Sequence, residues 1–401
     1  MAWNPLGDKK STIKAGYGLF YQPLTTSFYR GTTFRIYPYF AGVDIRQPPV
    51  FGPGMIAVLQ AGVDPATVQK RSEFIAYDEK QPYTEQWHAH FDRDLGHNTV
   101  AEVGYVGSSG HNLPFYGDPN TTPSTYVNGV KMLVPGATLR FPAWGRIRTR
   151  INEAHSKYQG ATVSLTKRYS NNWQAQASYT YGNSHDNWSG GQIGSSDFDN
   201  GAGSATDWWD PNYERGPSSF DIRHTLVVNG TYVLPFFQNR HGVAGVLLKN
   251  WQIGGVAQFS SGLPFTPLEN YDQVGDGQSD VGLQKPNLTG TVNYPGTDTM
   301  WFDPSAFSVP AAGVFGNAGR NSLRGPKLKV ADISVFKNQR LGRYLVQFRL
   351  VAFNAFNWVN LGLPDFFIFN AAGGVRNPTA GRIRTTSTPA RQIQLGMKFL
   401  F

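Results

Sequence analysis

The chain has 401 residues, enough for two ordinary domains or one large barrel, with 45 Gly, 26 Pro and no Cys. At 40% hydrophobic and 14% aromatic it is richer in rings and glycine than a typical soluble enzyme and far from disordered, and without cysteine it has neither disulfides nor thiolate metal sites. The formal charge of +9 raises a nucleic-acid partner, but the densest basic runs, "GRIRTR" (145–150) and "AGRIRTT" (380–386), fall in expected loops as solvated charge, so no nucleic acid is expected.

Period-2 alternation recurs along the whole chain. "STIKAGYGLFYQ" groups Ile13, Ala15, Tyr17, Leu19 and Tyr21 on one face. "NWQAQASYTYG" sets Trp173, Ala175, Ala177, Tyr179 and Tyr181 against Gln174, Gln176, Ser178 and Thr180. "RHTLVVNGTYVLPF", "NWQIGGVAQFSSG" and "RYLVQFRLVAF" repeat the pattern, and "ARQIQLGMKFLF" closes it with Ile393, Leu395, Met397, Phe399 and Phe401 opposite Gln392, Gln394 and Lys398. Successive strand side chains point to opposite faces, so about ten strands are expected, near 11–22, 83–94, 99–108, 156–168, 173–183, 220–234, 250–262, 327–338, 343–356 and 390–401. No amphipathic helix pattern competes.

The connections decide which way the apolar faces look. Short ones ("NPLGDKK", "LGHN", "YSNN", "QRLG") and a mid-length one at 235–245 alternate with long segments near 23–82, 109–155, 184–219, 263–326 and 357–389. Tight turns at one end and long loops at the other are the plan of a transmembrane barrel, whose strands alternate and leave overall hydropathy low. Aromatic residues at strand ends (Tyr17, Tyr21, Trp87, Trp173, Tyr179, Tyr181, Trp251, Phe399, Phe401) suit interfacial girdles, and the Gln-rich opposite faces suit a wet lumen. No apolar run of about 18 residues offers a spanning helix, and "MAWNPLGDKK" has no apolar stretch of the kind a signal peptide carries. The fold class expected is all-β: an antiparallel outer-membrane β-barrel segment facing lipid.

Several stretches, in this order and spacing, resemble the C-terminal barrel half of Oar-like TonB-dependent transporters. They are "AWNPLGDKKSTIKAGYGLFYQ", "QPYTEQWHAHFDRDLGHNTVAEVGYVGSSGHNL", "SSFDIRHTLVVNGTYVLPF", "NWQIGGVAQFSSGLPFTP", "WFDPSAFSVPAAGVFGNAGRNSLRGPKLKVADISVFKNQRL", "FRLVAFNAFNWVNLGLPD" and "RQIQLGMKFLF". The resemblance covers nearly the whole chain. It implies a barrel of about 22 strands, occluded by a plug, often preceded by a carboxypeptidase-regulatory-like domain, and energised through TonB. The plug and the remaining strands are expected to lie outside this sequence, so TonB is expected as a partner only through that plug. The resemblance also makes Phe399 and Phe401 the signal read by the barrel assembly machinery. "MAWNPLGD" reads as the tail of an earlier strand entering a periplasmic turn.

Catalytic and metal constellations are weak. Asp197, Asp199, Asp207 and Asp210 offer hard oxygen ligands but not at calcium-loop spacing, so neither metal nor cofactor is expected. Asp221, Arg223 and His224, with Glu214 and Arg215, read as a structural corner. Glu85 and Glu102 lie on adjacent strands, as a glycosidase pair would require, but Glu85 shares its face with Tyr83 and Trp87 and reads as an interfacial charge. His88 and His90 share a lumen face as ordinary wet histidines, and no G-x-S-x-G occurs. The aromatic, Asp- and Arg-rich loops carry the candidate ligand contacts Tyr29, Arg35, Tyr37, Tyr39, Asp207, Trp208, Trp209 and Asp210, set against simple loop-to-loop packing. The reading is a non-enzymatic wall of an uptake barrel for an unidentified ligand, contacting outer-membrane lipid. Its rivals are a small standalone pore or adhesin barrel and a soluble all-β carbohydrate-binding or hydrolytic protein.

Overall fold

A computed structural model describes residues 2–4, 6–8, 10–23, 70–189, 207–237, 239, 242–277 and 284–401. Eleven strands follow one another, each beside its predecessor, in one antiparallel sheet: β1 (Ala2–Trp3), β2 (Ser11–Tyr21), β3 (Tyr83–Gly96), β4 (Thr99–Gly117), β5 (Trp144–Ser170), β6 (Trp173–Asp186), β7 (His224–Val233), β8 (Trp251–Ser260), β9 (Leu328–Leu341), β10 (Tyr344–Phe353) and β11 (Gln392–Leu400). Strand order equals chain order, the up-and-down plan. The ten long strands coincide with the ten read from alternation, and β1 pairs Ala2 with Lys14 and Trp3 with Ile13, as the N-terminal stretch suggested.

Residue type sets the tight turns. His97 and Asn98 between β3 and β4, and Asn171 and Asn172 between β5 and β6, all have positive φ. Two successive residues of that kind make the turn whose twist matches a right-handed hairpin. Gly342 (φ 60°) does the same work between β9 and β10. All three turns lie at one end of the sheet.

Register then fixes two faces. One cross-strand row runs Phe91, Val103, Val163, Tyr179, Leu226, Phe259. Another runs Trp173, Tyr232, Ile253, Val335, Leu350, Leu395. The opposite face runs Lys14, His90, Gly104, Thr162, Thr180, Thr225, Ser260. No layer of protein covers the apolar face among the described residues: Tyr17, Val103, Val163, Leu165, Ile253, Ile393 and Leu395 are all exposed. A sandwich would bury these residues; only lipid can cover them here.

Several charges at the two margins of the apolar face sit beside a ring or an acid. Arg93 pairs with Asp8 at 2.6 Å. Lys167 and Lys337 reach Trp173 and Trp251 at 5.2 and 5.9 Å from the ring centres, and Lys329 reaches Trp358 at 5.5 Å. Long stems lying along apolar surface with their heads at an interface are the behaviour expected at a membrane boundary.

The larger buried core lies in the loops, outside the sheet, and a smaller one joins Phe115 and Ala154 at the upper ends of β4 and β5 to Trp188. Phe265, Phe302, Phe307, Leu323, Ile368 and Phe369 pack together, drawing on segments expected to be irregular at 263–326 and 357–389. Those segments carry short two- and three-stranded sheets of their own. Other departures share this origin. β4 and β5 run well past the expected limits of 108 and 156, pairing with each other as far as Gly117 and Thr149, and Lys70–Ile75 pairs in parallel with the start of β5. "GRIRTR" is therefore strand rather than loop, and its Arg150 is 1% exposed and faces Glu73 at 3.9 Å, not solvent. A seven-residue helix α1 (Gly242–Leu248) occupies the mid-length connection, where no helix was expected.

The two faces make a sharp prediction at β11. Leu395, 76% exposed, sits opposite Leu350, whereas Gln394 sits opposite Val351 on the lumen side. Leu395→Lys should cost about 2–4 kcal/mol near mid-membrane and lower the amount of assembled protein in outer-membrane fractions, while Gln394→Lys should be tolerated. Equal damage at both positions would overturn the facing.

Candidate functional site

Two surfaces face the aqueous path: the lumen wall and the cap formed by the loops. On the wall, Lys14 Nζ meets Asp92 Oδ2 at 2.5 Å, and His90 Nδ1 lies 3.3 Å from Glu102 Oε1. The His88 and His90 rings share this face with centres 5.5 Å apart. Gly104 is required here, since a Cβ would come within 2.3 Å of the His90 ring. Further round, Arg349 donates to Gln347 (2.5 Å), which donates to Asn338 (2.8 Å). A hollow of about 400 Å³, lined by Asn229, Thr231, Gln252, Asp332, Ser334 and Phe336, opens on the same wall. The wall is polar and of mixed sign. Glu85 and Glu102 fall on opposite faces, because Glu85 pairs with Ser109 and Glu102 with Asp92, so they form no catalytic pair.

The cap is held by buried ion pairs. The Lys131 ammonium sits between the carboxylates of Asp207 (2.6 Å) and Asp210 (2.9 Å). Burial works against that charge, but the hydrogen bonds to Asp207 and Asp210 outweigh it and raise the ammonium above its ordinary value. Asp207 also accepts from Ser124 Oγ (2.5 Å), and Asp210 accepts from the Tyr126 hydroxyl (2.8 Å). Lys285 meets Glu214 at 3.2 Å and lies 3.6 Å from the centre of the Tyr213 ring, and burial pushes its ammonium down. Arg320 holds Asp186 at 2.6 Å, and Arg324 holds Asp221, which also accepts from Arg223 Nε at 2.9 Å and from the Ser184 amide. The Asp221 and Arg223 corner is thus structural, and its Arg324 partner arrives from a loop about a hundred residues downstream.

Among the eight candidate ligand contacts, Tyr29, Arg35, Tyr37 and Tyr39 lie outside the described residues, as do Asp197 and Asp199. The other four come together in the cap. Asp207 is buried, Trp208 packs on Phe115 with ring centres 6.3 Å apart, and Trp209 donates through Nε1 to Thr121 Oγ1 at 3.2 Å. Tyr126 and Trp209 keep exposed ring surface. Between Asp207 and Asp210 the place a cation would take is filled by Lys131. Among the described residues no cluster of three or more His, Asp or Glu is placed to hold a metal.

Alternation could not reveal Lys131, Lys285, Arg320 and Arg324, which stand singly in the long segments between the main strands. Nor could it reveal Glu269, which is fully buried with neither carboxylate oxygen hydrogen-bonded. Burial pushes its pKa up to about 8, so near neutral pH it stands mainly protonated. The neighbouring Tyr271 hydroxyl is likewise unpartnered, and burial, then the Glu269 carboxylate, raises it to about 12.

Comparison with known proteins places this geometry. The profile of a family described as "Outer membrane beta barrel domain" matches residues 1–394. The chain is similar to the outer membrane transporter YddB from Escherichia coli, with TM-score 0.50 and 11% identity over 99% of this chain and 39% of that one. It also matches the FrpB iron transporter from Neisseria meningitidis (F3-3 variant), with TM-score 0.42 and 11% identity over 100% of this chain and 38% of that one. The chain thus spans about two fifths of the length of these structures. Among curated proteins, none matches by sequence.

The cap yields two predictions. Lys131→Ala leaves two carboxylates facing each other without their cation and should destabilise the cap by about 3–5 kcal/mol, read as denaturant-dependent fluorescence of Trp208 and Trp209; an unchanged midpoint would refute the role of the pair. For Glu269, the folded state holds its proton up to about pH 8, whereas the unfolded chain releases it near 4.5. Cap stability should therefore be full below the lower value and fall by about 1.4 kcal/mol per pH unit between the two. Glu269→Gln should abolish that slope in the same fluorescence assay.

Proposed function

From the premise that the chain belongs to the outer membrane beta barrel domain family, we propose that it forms part of the wall of an energised uptake barrel, of the Oar-like TonB-dependent type. The chain is an outer-membrane barrel protein of a Gram-negative-type bacterium, and its family is one of membrane barrels rather than enzymes. In this proposal the remaining wall and a plug complete the pore, and TonB acts through that plug. The single observation that carries the reading is the sheet's two-sidedness: an uncovered apolar face of ten long strands backs a polar wall, with a folded cap at the long-loop end.

Roles follow from position. The polar wall, with its Lys14–Asp92 pair and the hollow near Asp332, offers a hydrogen-bonding surface to a plug. In the cap, Tyr126 and Trp209 are the exposed rings beside Asp207 and Asp210, and with Tyr29, Arg35, Tyr37 and Tyr39 they would make the outer mouth for ligand. Phe399 projects from β11 on the lipid side opposite Val346, and Phe401 follows at the end of the chain, where the assembly machinery would read them. The length relation to YddB, 39% of that chain, fits a part of a larger wall.

Outer membranes from native cells, probed with antibody against this sequence, should give a species of about twice this chain's mass or more, with chemical crosslinking adding a TonB-containing adduct. A species at the mass of this chain alone, conducting ions in planar bilayers without TonB, would replace the proposal with a standalone pore.

A further inference from the structure

A cavity of about 440 Å³ opens on the lipid side of the sheet instead of the lumen. Its walls include Ser109, His111, His155, Lys157, His185 and Arg215. Register gives the orientation. Glu85, Ser109, Lys157 and His185 form one cross-strand row. The next row toward the membrane is Trp87, Gly107, Gln159, Asn183, and the next is Ala89, Tyr105, Ala161, Tyr181. All three share the face that continues into Phe91, Val103, Val163 and Tyr179. Rows on one face are two residues apart, about 7 Å along a strand, so the cavity sits one row above the Trp87 ring and two above the apolar band.

That height is the headgroup level of the outer leaflet. The cationic groups there are uncommitted. Lys157 and Arg215 are exposed and form no ion pair among the described residues. The one acid in the lining, Asp186, is consumed by Arg320 and by Ser189, which donates to it at 2.7 Å. The other carboxylates on this face are Glu85, which lies 3.8 Å from His111 Nε2, and the exposed Glu153. His111 is already paired with Ser109 Oγ at 3.0 Å and stands edge-on to His155, with ring centres 6.3 Å apart. The buried Asn183 amide oxygen has no donor, which leaves an acceptor for a hydroxyl.

We infer that this cavity binds the phosphate of an outer-leaflet lipid headgroup, with Lys157 and Arg215 contacting the phosphate oxygens and Asn183 accepting from a headgroup hydroxyl. The rings of Trp87, Tyr105 and Tyr181 directly below accommodate the start of the acyl region. Paired cations give charge-assisted hydrogen bonds to phosphate, the Arg with a fork that matches its oxygens. The inference rests on the outer-membrane placement of the chain and not on any transport activity.

The test takes the full-length protein extracted from outer membranes in mild detergent and exposes it to mixed micelles of phosphatidic acid and phosphatidylcholine. Retained lipid is counted by native mass spectrometry. Preferential retention of phosphatidic acid is expected, falling about tenfold in the Lys157→Gln, Arg215→Gln double variant and preserved in Lys157→Arg with Arg215→Lys. Removing two lumen-side cations by Arg340→Gln and Lys398→Gln should leave it intact, which controls for net charge. Retention unchanged in the first double variant overturns the inference. Displacement of the lipid by excess inorganic phosphate overturns it too, because the ligand is then a free anion. A protein absent from the outer-membrane fraction removes the placement and the inference together.

Discussion

The structure depends on one constraint: within a bilayer, every backbone N–H and C=O must find its partner inside the protein. A sheet in which each strand pairs with the one before it meets that demand between neighbours, and β1 to β11 do so without a crossover, with only the outer edges of the first and last strands open among the described residues. The alternation of side chains is a consequence. Once the backbone is consumed by the ladder, each strand can only offer one row to lipid and one to water. The row from Trp173 through Tyr232, Ile253, Val335 and Leu350 to Leu395 is apolar for that reason. Small residues such as Gly230 and Gly255 are tolerated on the lipid side because lipid, unlike a protein core, fills whatever shape it meets.

The cap obeys the opposite logic. Beyond the membrane the loops must bury their own backbone, and they do it around Phe265, Phe302 and Phe307 with cations inserted among acids. Lys131, Lys285, Arg320 and Arg324 each join segments far apart in sequence, so the loops act as one body anchored to the upper ends of β4, β5 and β6. Buried pairs of this kind contribute little net stability compared with apolar packing, but breaking one leaves a stranded charge. They specify which loop meets which. Glu269, buried without a partner, is the exception, and a raised pKa is how such a group avoids carrying charge.

This division explains what could be read from the sequence. Strands were legible because period 2 is local: Trp173 to Tyr181 announce their face without reference to any other segment. The turns were legible because Asn171, Asn172 and Gly342 adopt positive φ and favour it by residue type. The cap was not legible, because nothing near Lys131 announces Asp207, and nothing near Arg150 announces the parallel strand at Lys70–Ile75 that pairs with the start of β5. The corner at Asp221 was read correctly as structural, but its strongest partner, Arg324, was invisible at that distance. Likewise the histidines looked scattered, since the register that brings His111, His155 and His185 to one cavity is itself a product of pairing.

The net charge of +9 finds its account in the same geometry. A nucleic-acid surface would gather cations on one face, where phosphates could meet them together. Here they are dispersed over environments that each require them for a different reason. Arg93, Lys167 and Lys337 mark the lower margin of the apolar band beside an acid or a ring. Lys14 and Arg349 line the lumen, and the cap cations Lys131, Lys285, Arg320 and Arg324 are paired with carboxylates. What is left uncommitted on the lipid side stands at the upper margin, where Lys157 and Arg215 face the headgroups of a membrane the strands below already require.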